Sequence, residues 1–316
     1  MELRFRFPLA LTVLATLAAC QTTGMGRASP QDRTAAEEFA RQALAAEQSL
    51  DRSTLPERTV GVTPLSITAS DSALVSLGYG LADLLMTDLA RSAQLQVVDR
   101  LRLDALLREM RFVQASRNVD STTAPRVGGL VGARRLVVGT VTQAPGGQLR
   151  IDARIADAST GEIRPAVFAT ATIEEILAAE KALAFQLFDQ LGVTLTPAER
   201  AAVEQRATQN LAALLAYSRG VRYEVEGRFD QAATEFQSAV RLDPSFSMAR
   251  TRLTTARSIA APPRAAAVTR AASAAAERVN QSLVPTTRTG APPGTPTDPA
   301  FTEYTVTIIV TITTPP

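Results

Sequence analysis

Leu149-Arg150-Ile151-Asp152-Ala153-Arg154-Ile155 places apolar side chains at alternate positions and charged ones between them. Successive residues of a strand point to opposite faces, so this stretch predicts a strand with one buried face and one wet face. Ser159-Thr160-Gly161 follows with turn-forming residues, and Ile163–Thr172 returns as a second β-prone run. The two runs form an antiparallel hairpin. An all-parallel sheet is thereby excluded.

Upstream, strands and helices alternate. Thr59–Ile67 is β-prone, with Pro64 restricting it to an edge or a strand end. Across Ser72–Gln94, Leu74, Leu77, Leu81, Leu84, Leu85 and Leu89 recur at spacings of three and four. That predicts a helix, with Ser70 or Asp71 as its cap. Leu95–Val98 reads as a buried strand. Leu101–Phe112 reads as a helix with Leu103, Leu106, Leu107 and Met110 on one face. Arg126–Val131 forms at most a short helix ended by Gly132, and Arg135–Val141 is a strand. Ile173–Leu191 is again helical. The predicted fold class is α/β (α+β): a mixed sheet with flanking helices, a short helical segment after it, and a C-terminal β-strand.

Three segments carry a family resemblance. They are Val97–Glu109 (VVDRLRLDALLRE), Gly132–Val141 (GARRLVVGTV) and Asp157–Ile163 (DASTGEI). In that order they resemble the CsgG/HfaB family, which contains the curli secretion lipoprotein. Related periplasmic folds occur in the TolB amino-terminal domain and in lipoprotein activators of penicillin-binding proteins. The resemblance spans about Arg58–Leu191 and implies a periplasmic α/β domain that oligomerises or docks a protein partner. The curli channel builds its barrel from two long amphipathic hairpins inserted in this domain. A membrane-spanning hairpin needs roughly 20 extra residues. Here the first candidate position holds only Thr142–Gln148, and the second runs from Thr172 straight into a helix. Pore formation is therefore not carried over.

Downstream, Thr196-Pro197-Ala198-Glu199 opens a helix over Leu195–Asn210. Ala213–Phe246 then resembles one tetratricopeptide repeat, with Gly220, Tyr223, Gly227, Ala232, Phe236, Ala239 and Pro244 at the expected places. Ala216 and Arg219 depart from the pattern. The resemblance implies that Gly220, Tyr223, Ala232, Phe236 and Ala239 form a partner-binding unit, with Phe236 and Tyr223 filling the helix–helix groove. Ser247–Ala260 would cap it. A single repeat cannot bury its own face, so it packs on the preceding helix or on a partner.

The amino terminus has a short charged region with Arg4 and Arg6, then an apolar stretch from Phe7 to Ala19. This is the pattern of a secretory leader, too short to span a bilayer as a helix. Leu17-Ala18-Ala19-Cys20 resembles a bacterial lipobox, and Cys20 is the chain's single cysteine. The resemblance implies lipidation at Cys20. Gln21, rather than an Asp, favours the outer membrane over the inner one. Gln21–Asp32 reads as a polar tether and Arg33–Leu50 as a helix. The expected organisation is a leader over 1–19 and a lipidated tether and linker helix over 20–57. An α/β domain over 58–192, the repeat segment over 195–260 and a tail over 261–316 follow. Val284–Pro299 has the composition of a disordered stretch. The tail ends in Tyr304–Thr313, an alternating strand. Three placements compete for it: the chain's own sheet, a neighbouring subunit, or a composite barrel. The hazard of an exposed edge favours the first.

Composition narrows the chemistry. In 316 residues there is no His, one Cys and, at position 181, one Lys. Histidine-based triads, multi-cysteine metal sites and disulfides within the chain are excluded. A net charge of +2 gives little pull toward nucleic acid. Gly78-Tyr79-Gly80 and Gly128-Gly129 complete no phosphate-loop motif and read as sites of close helix packing. Arg100 with Glu109 reads as a pair that positions a strand–helix corner. Asp152, Asp157, Glu174 and Glu175 read as solvated charges, and Lys181 as a helical residue beside Glu180. No catalytic residue, cofactor, metal or small-molecule substrate is expected. The sequence thus predicts a non-enzymatic lipoprotein on the periplasmic face of the outer membrane. It would work through protein partners, with a homo-oligomer allowed, to scaffold or regulate assembly or secretion of an envelope structure. A secretion-channel subunit and a cell-wall synthase activator are the alternatives.

Overall fold

The sheet is organised around a nine-residue central strand. In a computed structural model that describes residues 29–68, 74–111 and 119–260, β4 (Arg135–Gln143) is paired along both edges. On one edge it takes β1 (Thr59–Val62) and then β2 (Ser66–Thr68), both parallel to it. The Thr63–Leu65 break between them contains Pro64, which cannot donate to a ladder. On the other edge β4 takes β5 (Leu149–Asp157), antiparallel over nine pairs from Arg135↔Asp157 to Gln143↔Leu149. Outside β1 lies the two-residue β3 (Gln96–Val97), and outside β5 lies β6 (Val167–Ala171). The result is a mixed six-stranded sheet in the order β3-β1-β4-β5-β6, with β2 alongside β4.

Helices flank this sheet, and a helical region follows it. They are α1 (Pro30–Ala45), α2 (Leu77–Leu89), α3 (Arg100–Glu109), α4 (Ala124–Val131) and α5 (Ile176–Leu191). After α6 (Pro197–Glu204) come α7 (Leu211–Val225), α8 (Phe229–Leu242) and α9 (Ser247–Ala260). Leu81, Leu85, Leu103, Leu106, Ile151, Ile155, Leu183 and Leu187 are fully buried in the shared core. Each such side chain contributes about 1.5–3 kcal/mol. The described residues all belong to one compact unit.

Several local expectations are corrected. The helix after the tether begins at Pro30, not Arg33, because Ser29 and Asp32 form a capping box. The predicted buried strand at Leu95–Val98 is instead a sheet edge, with Gln96 exposed. The helix expected from Ser72 starts at Leu77, after Ser76; Ser70 and Asp71 lie outside the described residues. The return strand of the hairpin starts only at Val167. Ile163 makes one isolated bridge to Ala156, and Pro165 interrupts the ladder. The turn itself holds: the Asp157 carboxylate accepts the N–H groups of Ser159 (2.9 Å) and Thr160 (3.1 Å), and Gly161 supplies φ +76°. The β4–β5 connection is only Ala144–Gln148. Cys20 with Leu17, Ala18 and Ala19, and the tail 261–316 with its terminal strand, lie outside the described residues.

Candidate interaction site

α7 and α8 pack against each other as a helical hairpin. Gly227 turns the chain between them at φ +78°, where a side chain would be strained. Phe236 is fully buried, and its ring lies against Gly220, where any Cβ would collide with it. Ala232 and Ala239 are fully buried beside it. These four residues therefore sit inside the helix pair and shape its packing. Tyr223 does not fill the groove: it is half-buried at the rim, with the Arg222 and Arg228 guanidiniums 5.1 and 4.6 Å from its ring centre. The groove belongs to Tyr217, fully buried with ring centroids 5.5 Å from Phe236 and 4.7 Å from Phe246. The sequence reading missed Tyr217, although its spacing of four from Ala213 and three from Gly220 puts it on the same face.

The unpaired face of the repeat lies on α2, not on α6, the helix before it. A chain of buried charges joins the two. The Tyr217 hydroxyl donates to Asp83 of α2, and Arg252 of α9 donates to the same carboxylate. Arg100 of α3 donates to Asp83 at 3.0 Å and to Asp104 at 3.1 Å. Arg252 also donates to Glu224 of α7 at 3.0 Å. Arg108 of α3 donates to the Val225 carbonyl at 3.0 Å. Paired with two arginines and a phenol, Asp83 is held below the usual carboxylate range despite complete burial. Glu224, with one arginine and two nearby acids, is pushed up to about 7 by its burial, which Arg252 only partly opposes. The expected Arg100–Glu109 pair is thus replaced by Arg100 with Asp83 and Asp104, which close on it from two helices. Gly80 completes the junction: Ser218 approaches so closely that no side chain fits there. Gly78 is likewise filled by the Leu65 carbonyl. Both glycines serve close packing.

A second buried cluster lies between α2 and α5. Lys181 donates to Asp88 at 2.6 Å and lies 3.4 Å from Glu180. Burial and the adjacent Asp88 raise Glu180 well above the usual carboxylate range, and burial also raises Asp88. Two carboxyl groups therefore share one ammonium. Asp157 is also no solvated charge: it is largely buried and paired with Arg134 at 2.9 Å. Asp152 pairs with Arg150 at 2.9 Å, whereas Glu174 and Glu175 are exposed. Among the described residues there is no cluster of three or more potential metal ligands, and no helix is long and apolar enough to cross a membrane.

No curated protein matches the chain. Among solved structures it is similar to the NMR structure of E. coli LpoB, at 13% identity and a TM-score of 0.29, over 43% of this chain and 64% of that one. The chain thus spans less than two thirds of that protein's length. It is also similar to the LpoB C-terminal domain from Escherichia coli, at 14% identity and a TM-score of 0.28, over 44% of this chain and 97% of that one. Lipoprotein GNA1162 from Neisseria meningitidis is similar at 17% identity and a TM-score of 0.29, over 44% of this chain and 99% of that one. The family model of the curli production assembly/transport component CsgG matches residues 56–144, a segment that is thus similar to that family's domain.

Proposed function

We propose that this protein is a non-enzymatic lipoprotein, anchored by Cys20 to the periplasmic face of the outer membrane, that scaffolds or regulates the assembly or secretion of an envelope structure. The observation that carries the reading is the joining of the α7–α9 helices to the sheet domain by buried ion pairs from Asp83 to Arg100 and Arg252. Such a junction presents the outer faces of α7–α9 at a fixed orientation, as a scaffold requires. The lipobox residues Leu17, Ala18 and Ala19 support the anchor; two or three acyl chains would hold it stably. The five-residue Ala144–Gln148 connection supports a scaffold over a channel, because a spanning hairpin cannot be built from it. Gly220, Ala232, Phe236 and Ala239 serve partner binding by shaping the helix pair, and Tyr223 is the one of the set within a partner's reach.

The test is fatty-acid labelling and envelope fractionation of the chain and its Cys20→Ser variant, followed by cross-linked affinity capture from intact envelopes. Label at Cys20, loss of membrane association in the variant and capture of an envelope-assembly or secretion component are expected. A mature, unlabelled chain still sedimenting with the outer membrane would overturn the anchor. Voltage-driven conductance by the purified protein in planar bilayers would overturn the scaffold in favour of a channel.

A further inference from the structure

A cleft of about 820 Å³ opens between α2, α5, the α6–α7 connection and the α8–α9 turn. It lies at the ends of the repeat helices, away from the groove that Phe236 and Tyr217 fill. Its charges are unevenly matched. Lys181 is offset by Asp88 and Glu180. The carboxylate of Asp243 accepts from Thr208 and from Ser245. Arg91 and Arg206 also line the cleft and are exposed; their guanidiniums make no ion pair or hydrogen bond among the described residues, and Arg91 acts on Asp88 only from a distance. The first turn of α9 contributes Ser247 and Met248, and a helix start carries partial positive charge. The opposing end of α8 is muted, since the Leu242 carbonyl accepts from the Asn210 side chain at 3.0 Å.

We propose that this cleft docks an acidic polypeptide segment, with Arg91 and Arg206 receiving its carboxylates. The volume is that of a site for a ligand much larger than a single small anion. Gln205 and Gln209 line it with amides that can both donate to and accept from a peptide main chain. Leu242 and Met248 give the ligand's apolar atoms a surface to cover. Guanidinium groups suit carboxylates because their paired N–H donors match both oxygens. Desolvating the arginines against a cationic or neutral segment would offer no such return.

The test is fluorescence anisotropy on the purified full chain with fluorescein-labelled hexaglutamate, hexaglutamine and hexalysine. Hexaglutamate should bind saturably and at least about tenfold more tightly than either control, and binding should weaken with salt. The Arg91→Gln/Arg206→Gln double variant should lose about tenfold in affinity with an unchanged melting temperature, and Arg91→Lys/Arg206→Lys should recover part of it. Equal hexaglutamate binding by the glutamine double variant would overturn the proposal. So would displacement by inorganic phosphate at concentrations where unlabelled hexaglutamate also displaces, which would make the cleft a small-anion site. The inference does not rest on the membrane anchor: Cys20→Ser should bind hexaglutamate unchanged, so failure of anchoring and failure of docking are told apart.

Discussion

The Tyr217 hydroxyl donates to the carboxylate of Asp83, a residue 134 positions earlier, and so ties the repeat to the α/β sheet's own helix. Tyr217 also packs on Phe236 and Phe246. Its ring and its oxygen can be separated experimentally. Tyr217→Phe keeps the aromatic packing and removes one of three donors to a buried carboxylate. A cost of about 1–3 kcal/mol is expected from denaturant unfolding. A change below about 0.5 kcal/mol would mean that the two arginines alone satisfy Asp83.

Glu224 gives the same junction a pH dependence. Its carboxyl titrates at about 7 in the folded chain against 4.5 when free. The folded state therefore holds the proton more tightly, and stability falls as pH rises from about 4.5 through 7. The linked loss is at most roughly 3 kcal/mol. Glu180 and Asp88, also raised, act in the same direction; Asp83, lowered, acts the other way only in acid. Melting temperatures from pH 5 to pH 8 should decline in the native chain and decline less in Glu224→Gln. Identical slopes would remove Glu224 as the source.

Phe236 occupies space that Gly220 leaves, so both ends of that contact are sensitive. Phe236→Ala should cost about 3–5 kcal/mol. Gly220→Ala drives a methyl into the ring and should cost about 1–3 kcal/mol. Because Tyr217 connects this cluster to α2, both variants should unfold in one transition, followed by circular dichroism and by protease resistance together. A repeat that melts first, leaving the sheet protected, would show that the buried charges do not couple the two.

The strands and helices of the sheet were legible because period-two and period-three-to-four patterns are local. Leu149–Ile155 and Leu81–Leu89 fold as their spacing predicts. Boundaries moved where one side chain outweighs periodicity, as at the Ser29–Asp32 box and at Pro165. The junction was not legible. Asp83, Arg100, Tyr217, Glu224 and Arg252 come from four helices separated in sequence, and no local pattern distinguishes a charge that will be buried from one that stays in water. The sequence pairs Arg100 with Glu109 at a strand–helix corner; its partners in the structure are Asp104 on its own helix and Asp83 on α2. Tyr217 was hidden differently. The repeat pattern directs attention to its consensus places, and Tyr217 lies outside them on the same buried face.

Lys181 sits between two carboxyl groups that burial already disfavours in charged form, at 2.6 Å from Asp88 and 3.4 Å from Glu180. It is the chain's only lysine, and its side chain is 11% exposed. Lys181→Met keeps most of the side chain's volume and removes the single positive charge of the cluster. At pH 8 Asp88 would then be buried without a direct ion-pair partner, with only the exposed Arg91 acting on it from a distance, and a loss of about 3–5 kcal/mol is expected. At pH 5 Asp88 can take up a proton instead, so the loss should shrink. Replacing the charge as well, in Lys181→Met/Asp88→Asn, should recover much of the stability at pH 8, because the buried ion and its missing partner disappear together. Urea unfolding of the three chains at both pH values reads all of this. A pH-independent loss, undiminished in the double variant, would assign Lys181 to packing rather than to charge.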